Sequence, residues 1–162
     1  MKTVIQFFIL ILFILNIPVK GQNSKKTFDF WLGNWDAYWE DSLKGSNIIS
    51  KELNDLVVEE KFTSNDNSFI GKSWTVYDSS NNIWKQTWVD NTGAYLVFTG
   101  GRDKENVVLN LAEERKANGK VYYMRMIFSN IEQDSFNWDW QSSKDKIAWK
   151  TVWAIKYKRK SR

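Results

Sequence analysis

The residue whose type and setting could do chemistry is Glu60. Through residues 56–63, Leu56, Val58, Glu60 and Phe62 share one side, with Val57, Glu59, Lys61 and Thr63 opposite. Successive strand side chains point to opposite faces, so Glu60 is expected to face inward between two apolar neighbours. Desolvation there raises a carboxylate's pKa and suits it to acid or base work, or to gripping a ligand's polar end. The same position fits a glutamate paired with Arg125 or hydrogen-bonded to Gln86, because structural pairs perturb a pKa too. Gln86 and Asp90 flank Trp88 at two-residue spacing and could orient a ligand or satisfy one another. Ser73 and Tyr77 share a face of their own segment, and Tyr77 is a second candidate acid or base.

Other chemistries lack their reagents. The chain has no histidine, which removes the usual general base, haem ligand and catalytic-metal ligand. It has no cysteine either, so its serines have neither an activating base nor a thiol substitute. Carboxylates at metal-ligand spacing do not stand out, and Asp66 and Asp78 read as turn residues. Gly100-Gly101 reads as a turn rather than a phosphate-cradling loop. No cofactor and no metal are expected.

Ten tryptophans and 16% aromatics exceed what a core of this size needs. Trp84, Trp88, Trp149 and Trp153 fit the inner wall of a ligand cavity, where apolar lining surrounds a few fixed polar groups. They fit a solid aromatic core equally well. Trp138 and Trp140 share a face with Asp139 turned away, and alternation puts that face inside; on the outside they would form a flat platform for sugars.

Short strands must position these groups. Turn-forming clusters at residues 42–46, 54–55, 64–68, 78–82, 90–93, 100–103, 118–119, 130–135 and 142–146 separate segments rich in Val, Ile, Thr, Trp, Tyr and Phe. That spacing predicts an all-β protein, an antiparallel up-and-down barrel of about ten strands. Only residues 107–116 could be argued as a short helix. In the last strand Trp149, Thr151, Trp153, Ile155 and Tyr157 form the expected inner face. Around Arg125, by contrast, neither Tyr123-Arg125-Ile127 nor Met124-Met126-Phe128 is clearly polar. Residues 28–39, with rings at Phe28, Phe30, Trp31, Trp35, Tyr38 and Trp39, predict an N-terminal aromatic plug running into the first strand.

Residues 1–21 read as a signal peptide: Lys2 is followed by an apolar run over residues 7–15 and cleavage is expected near Gly21. That run is short of the ~20 apolar residues of a spanning helix, so no stable membrane insertion is expected after processing. Residues 22–162 form one domain by length, and a periplasmic or secreted location follows. Of 23 Lys and Arg against 19 Asp and Glu, Lys2 and Lys20 fall in the leader, leaving an excess of two. Such balance gives no reason to expect nucleic acid as a partner.

Gly33-Asn34-Trp35 after a short aromatic turn resembles the Gly-x-Trp opening of lipocalins and the wider calycin group. There the tryptophan closes the barrel and a late basic residue packs on its ring, which implies Arg159 as the partner of Trp35. Residues 28–35, 84–90, 136–143 with Trp149, and 157–159 together resemble a bacterial family of exported lipocalin-like proteins of unknown function. The resemblance implies a fold and no particular activity. Nitrobindin-like haem barrels are similar in strand number, but they need the histidine this chain lacks. The expected function is therefore a barrel that binds a small, mostly apolar or amphipathic molecule. Trp84, Trp88, Trp149 and Trp153 serve as walls, and Gln86, Glu60 and Arg125 as polar anchors. The alternatives are a barrel enzyme using Glu60 or Tyr77, and a carbohydrate or surface binder using Trp138 and Trp140.

Overall fold

The computed structural model describes residues 23–161; the expected leader, residue 22 and residue 162 lie outside the described residues. A 3₁₀ turn at Asp29–Trp31 leads into eleven strands: β1 (Gly33–Trp39), β2 (Ser42–Glu52), β3 (Val57–Ser64), β4 (Ile70–Asp78), β5 (Ile83–Asp90) and β6 (Tyr95–Asp103), then β7 (Asn106–Leu111), β8 (Arg115–Ala117), β9 (Lys120–Ser129), β10 (Ser135–Ser143) and β11 (Lys150–Arg159). Neighbours run antiparallel in chain order, except that β7 pairs with β9, and β11 pairs back onto β1. Ten strands thus close a barrel and β8 is a short ribbon on β9. Closure leaves no long edge to recruit another strand.

Asparagine and aspartate carry many of the tight turns. Asn54, Asp55, Asn67, Asn82, Asn118 and Asn130 all have positive φ, a conformation these short polar side chains tolerate. Three expectations shift. The first hairpin turns at Glu40 and Asp41, both at positive φ, so residues 42–46 belong to β2. Residues 100–103 continue β6, where Gly100 makes room for the Val108 carbonyl of β7 and Gly101 for the Asn23 side chain. Residues 106–111 form β7 instead of a helix turn, because Val107 and Leu109 alternate into the core.

One end of the barrel is filled. Phe28 and Trp31 from the 3₁₀ turn, Trp35 from β1, Phe128 from β9 and Phe136 from β10 are all buried there. Phe28 meets Trp84 edge-on at 4.9 Å and Phe128 at 5.7 Å; Trp35 meets Phe136 at 4.8 Å. The Trp35 indole donates to the Trp31 carbonyl at 2.7 Å, tying plug to strand. Each such ring contributes roughly 1.5–3 kcal/mol through burial. The other end, where the β1–β2, β3–β4, β5–β6 and β10–β11 turns gather, is open enough to hold a chamber.

Candidate functional site

The chamber has a volume of about 200 Å³. Its walls come from strands that each send an aromatic ring inward: Trp88 from β5, Trp138 and Trp140 from β10, Trp153 from β11, with Phe69 between β3 and β4. Trp138 and Trp140 lie parallel, 7° apart with centroids separated by 6.5 Å. Trp153 stands almost perpendicular to Trp138, at 83° and 5.5 Å, so the cavity presents both a face and an edge. Trp39 packs behind Trp153, again edge-on at 5.5 Å. A shallower hollow lined by Trp39, Leu43 and Lys44 shares Phe69 and Trp153 with the chamber and adjoins it toward solvent.

Gly71 explains how Trp88 fits. A Cβ there would lie 2.0 Å from the Trp88 ring, so only a glycine leaves room for the indole against β4. The Trp88 Nε1 donates to Asp90 at 2.8 Å, which fixes the ring's edge at the chamber rim. Burial pushes the Asp90 carboxyl up, but hydrogen bonds from Thr92, Trp88 and the Thr92 and Ala94 amides outweigh it and hold it low.

A polar network forms the floor. Glu60, 8% exposed, accepts from Asn47 Nδ2 at 2.7 Å and from Ser73 Oγ at 2.6 Å. Gln86 Nε2 donates to Ser73 Oγ at 3.2 Å and to Thr75 Oγ1 at 2.8 Å, extending the network across β4 and β5. Asn47 also reaches the Tyr157 hydroxyl at 3.5 Å. Burial raises the Glu60 pKa to about 7, against the opposing bonds from Ser73 and Asn47. Burial, and then the charge of Glu60, push the Tyr157 phenol well above its ordinary value. Two acceptors in this layer, Asn47 Oδ1 and Gln86 Oε1, have no partner among the described residues.

The expected site residues therefore separate. Glu60, Trp88 and Trp153 line the chamber, and Gln86 supports its floor from behind. Trp84 is buried against Phe28 and Tyr77 at the filled end, and its Nε1 has no partner. Tyr77 bonds Asn82 Oδ1 at 2.8 Å on that same end, away from the chamber. Arg125, expected inward, faces outward: Met126 and Phe128 take the inner positions of β9, and Arg125 donates to Gln141 at 2.8 Å. Trp149, also expected inward, lies outside with the Arg125 guanidinium 4.0 Å from its ring centroid. A register shift between Trp140 and Gln141 and the start of β11 at Lys150 take Trp149 out of the alternation that holds for Trp153, Ile155 and Tyr157. Gly33, Trp35 and Arg159 meet at the filled end, with the guanidinium 4.1 Å from the Trp35 ring centroid.

No protein-family model matches this chain, and no curated protein does. The functional reading rests on the chamber itself.

Several further chamber residues carry a signal in the sequence. Asn47 alternates with Gly45 and Ile49, a pattern that marks an inward amide in β2. Tyr157 stood in the correct inner row of β11 without a role. Trp138 and Trp140 stand inside, where alternation puts them, and form chamber wall. Phe69 and Gly71 carry no signal of their own, since their importance comes from Trp153 packing on Phe69 across the barrel and Trp88 lying over Gly71 from the neighbouring strand.

Proposed function

We propose that the protein is an exported binding barrel that takes up a small, mostly apolar molecule in its open-end chamber. The ligand's flat body packs on Trp88, Trp138, Trp140 and Trp153, and its polar end meets Glu60 and Tyr157. The observation that carries this reading is a hollow walled by indoles with one hydrogen-bonded carboxylate at its floor, in a barrel whose opposite end is filled. Apolar lining with few, fixed polar groups is the usual make-up of a small-molecule site. The chamber's size, below the roughly 300–1,000 Å³ common for drug-sized ligands, limits the ligand to about one ring and a short arm. Export is supported by the leader pattern, and the likeness to exported lipocalin-like barrels adds to it.

A second reading draws on the Glu60 pKa near 7: a barrel enzyme in which Glu60 is acid or base. Tyr77 has no part in it, since it does not line the chamber and its hydroxyl donates to Asn82 at the filled end. An activity lost in Glu60→Gln with unchanged folding would select this reading.

The test is a native mass spectrum of the protein purified from its own host, followed by solvent extraction. Extra mass that extracts as a defined small molecule is expected. A bare mass, together with no uptake of a small apolar dye and no quenching of tryptophan emission, would overturn the binding reading.

A further inference from the structure

We infer that the chamber's ligand is a small organic cation, an aromatic or apolar body carrying an ammonium group, and not an acid. This rests on the chamber being a binding site, and it adds the chemical class of what binds.

The first argument is charge. Glu60 at the floor and Asp90 at the rim are carboxylates on the chamber wall, and no lysine or arginine lines it among the described residues. Arg125, the one cation expected to anchor an acid, is on the outer face beneath Trp149. A ligand carboxylate would therefore stand beside Glu60 with no counter-charge, and like charges in a desolvated site repel strongly.

The second argument is the balance of donors and acceptors. Each Glu60 oxygen accepts one bond and keeps a free acceptor direction. Asn47 Oδ1 and Gln86 Oε1 also lack a partner among the described residues, but both are buried behind the chamber wall and out of a ligand's reach. Of the groups that line the chamber, Glu60 therefore offers two free acceptor directions and Tyr157 one hydroxyl donor, so acceptors exceed donors. An ammonium supplies three donors and no acceptor, which matches that surplus.

The third argument is the wall. Indole faces attract cations, most strongly when water is excluded. Trp138, Trp140, Trp153 and Trp88 line the same chamber as Glu60, the first two parallel and Trp153 upright to Trp138. An ammonium within the chamber meets indoles and Glu60 together, where a neutral ligand gains only the apolar contact.

Three probes of one size separate the possibilities: 2-phenylethylammonium, 2-phenylethanol and 3-phenylpropionate. They are titrated by calorimetry into protein expressed with its own leader, at pH 8 and at pH 5.5. The groups facing Glu60 are Tyr157 from β11, Asn47 from β2, and Ser73 and Gln86 from β4 and β5. Of these only Tyr157 titrates, and it does so above this range. At pH 8 the ammonium is expected to bind at least about tenfold more tightly than the alcohol, and the acid more weakly than both. At pH 5.5, or in Glu60→Gln, the ammonium's advantage is expected to shrink to within about threefold while the alcohol binds as before. Because the pH comparison uses the unaltered protein, a Glu60→Gln chain that failed to fold would not spare the inference. Equal binding of ammonium and alcohol at pH 8, or tighter binding of the acid, would overturn the cation and leave the chamber a binding site. Failure of all three probes, and of a neutral apolar dye, would overturn both.

Discussion

Arg159 covers the Trp35 ring at 4.1 Å while its Nη1 donates to the Leu32 carbonyl at 2.8 Å. The same guanidinium donates to the Gln133 carbonyl, with Nη2 at 2.8 Å, and pairs with Asp134 at 3.0 Å. One side chain at the end of β11 therefore joins the plug, the first strand and the β9–β10 turn. Only glycine suits the position beneath it: Gly33 has φ +120°, and a Cβ there would lie 2.5 Å from Nη1.

Removing that clamp should loosen the filled end and leave the chamber alone. Arg159→Ala is expected to lower stability by about 2–4 kcal/mol through lost hydrogen bonds and cation–ring attraction. Arg159→Lys keeps a charge over the ring but cannot reach three carbonyl-type partners, so an intermediate loss is expected. Urea midpoints measure both. An Arg159→Ala midpoint equal to wild type would mean the plug holds without it.

Gly71→Ala should act at the opposite end. The new methyl group collides with the Trp88 indole, and overpacking of this kind costs about 1–3 kcal/mol. The displaced ring also loses its bond to Asp90. Near-ultraviolet circular dichroism should change and uptake of a small apolar dye should fall. Unaltered spectra and uptake would show that Trp88 does not depend on this seat.

Glu60 makes a pH prediction for the unliganded protein. Its folded pKa of about 7 lies above the ordinary glutamate value of 4.5. The folded state therefore binds the proton more tightly than the unfolded chain, and stability falls as pH rises from about 4.5 to about 7. The full loss is on the order of 3 kcal/mol. Glu60→Gln removes this dependence, and the Asn47 amide can turn over to meet the new side chain because its Oδ1 has no partner. The stability difference between the two proteins, followed from pH 4.5 to pH 8, should favour the variant increasingly with pH. A flat difference would mean that Glu60 titrates like an exposed carboxylate.

The barrel was legible because its strands alternate cleanly and its turns are rich in Asn, Asp and Gly. Val58, Glu60 and Phe62, or Trp153, Ile155 and Tyr157, announce their face from parity alone. Parity fails where both faces are apolar or where a register shift intervenes. In β9 Met126 and Phe128 compete with Tyr123, Arg125 and Ile127, and only closure against β7 and β10 decides between them. Early in β11 the register shift opposite Trp140 and Gln141 breaks the count, which sends Trp149 outside. Depth along a strand is not periodic at all. Trp84 and Trp88 share a face of β5, yet one fills the closed end and the other walls the chamber.

The outward placement of Arg125 gives the last prediction. Its guanidinium stacks on Trp149 and bonds Gln141, and none of its contacts reaches the Glu60 layer. Arg125→Ala removes one cation–ring contact and one half-buried hydrogen bond, so a stability loss of about 1–2 kcal/mol is expected. Binding in the chamber should not move, because the charge it removes lies on the far side of the β9 backbone from Met126, the residue of that strand that lines the cavity. An interior Arg125 would do the reverse: its loss would strand Glu60 without a counter-charge and change the affinity for every charged probe. Measuring 2-phenylethylammonium and 3-phenylpropionate against Arg125→Ala distinguishes the two directly, since only an inward guanidinium would make the ammonium bind more tightly and the acid more weakly once it is gone.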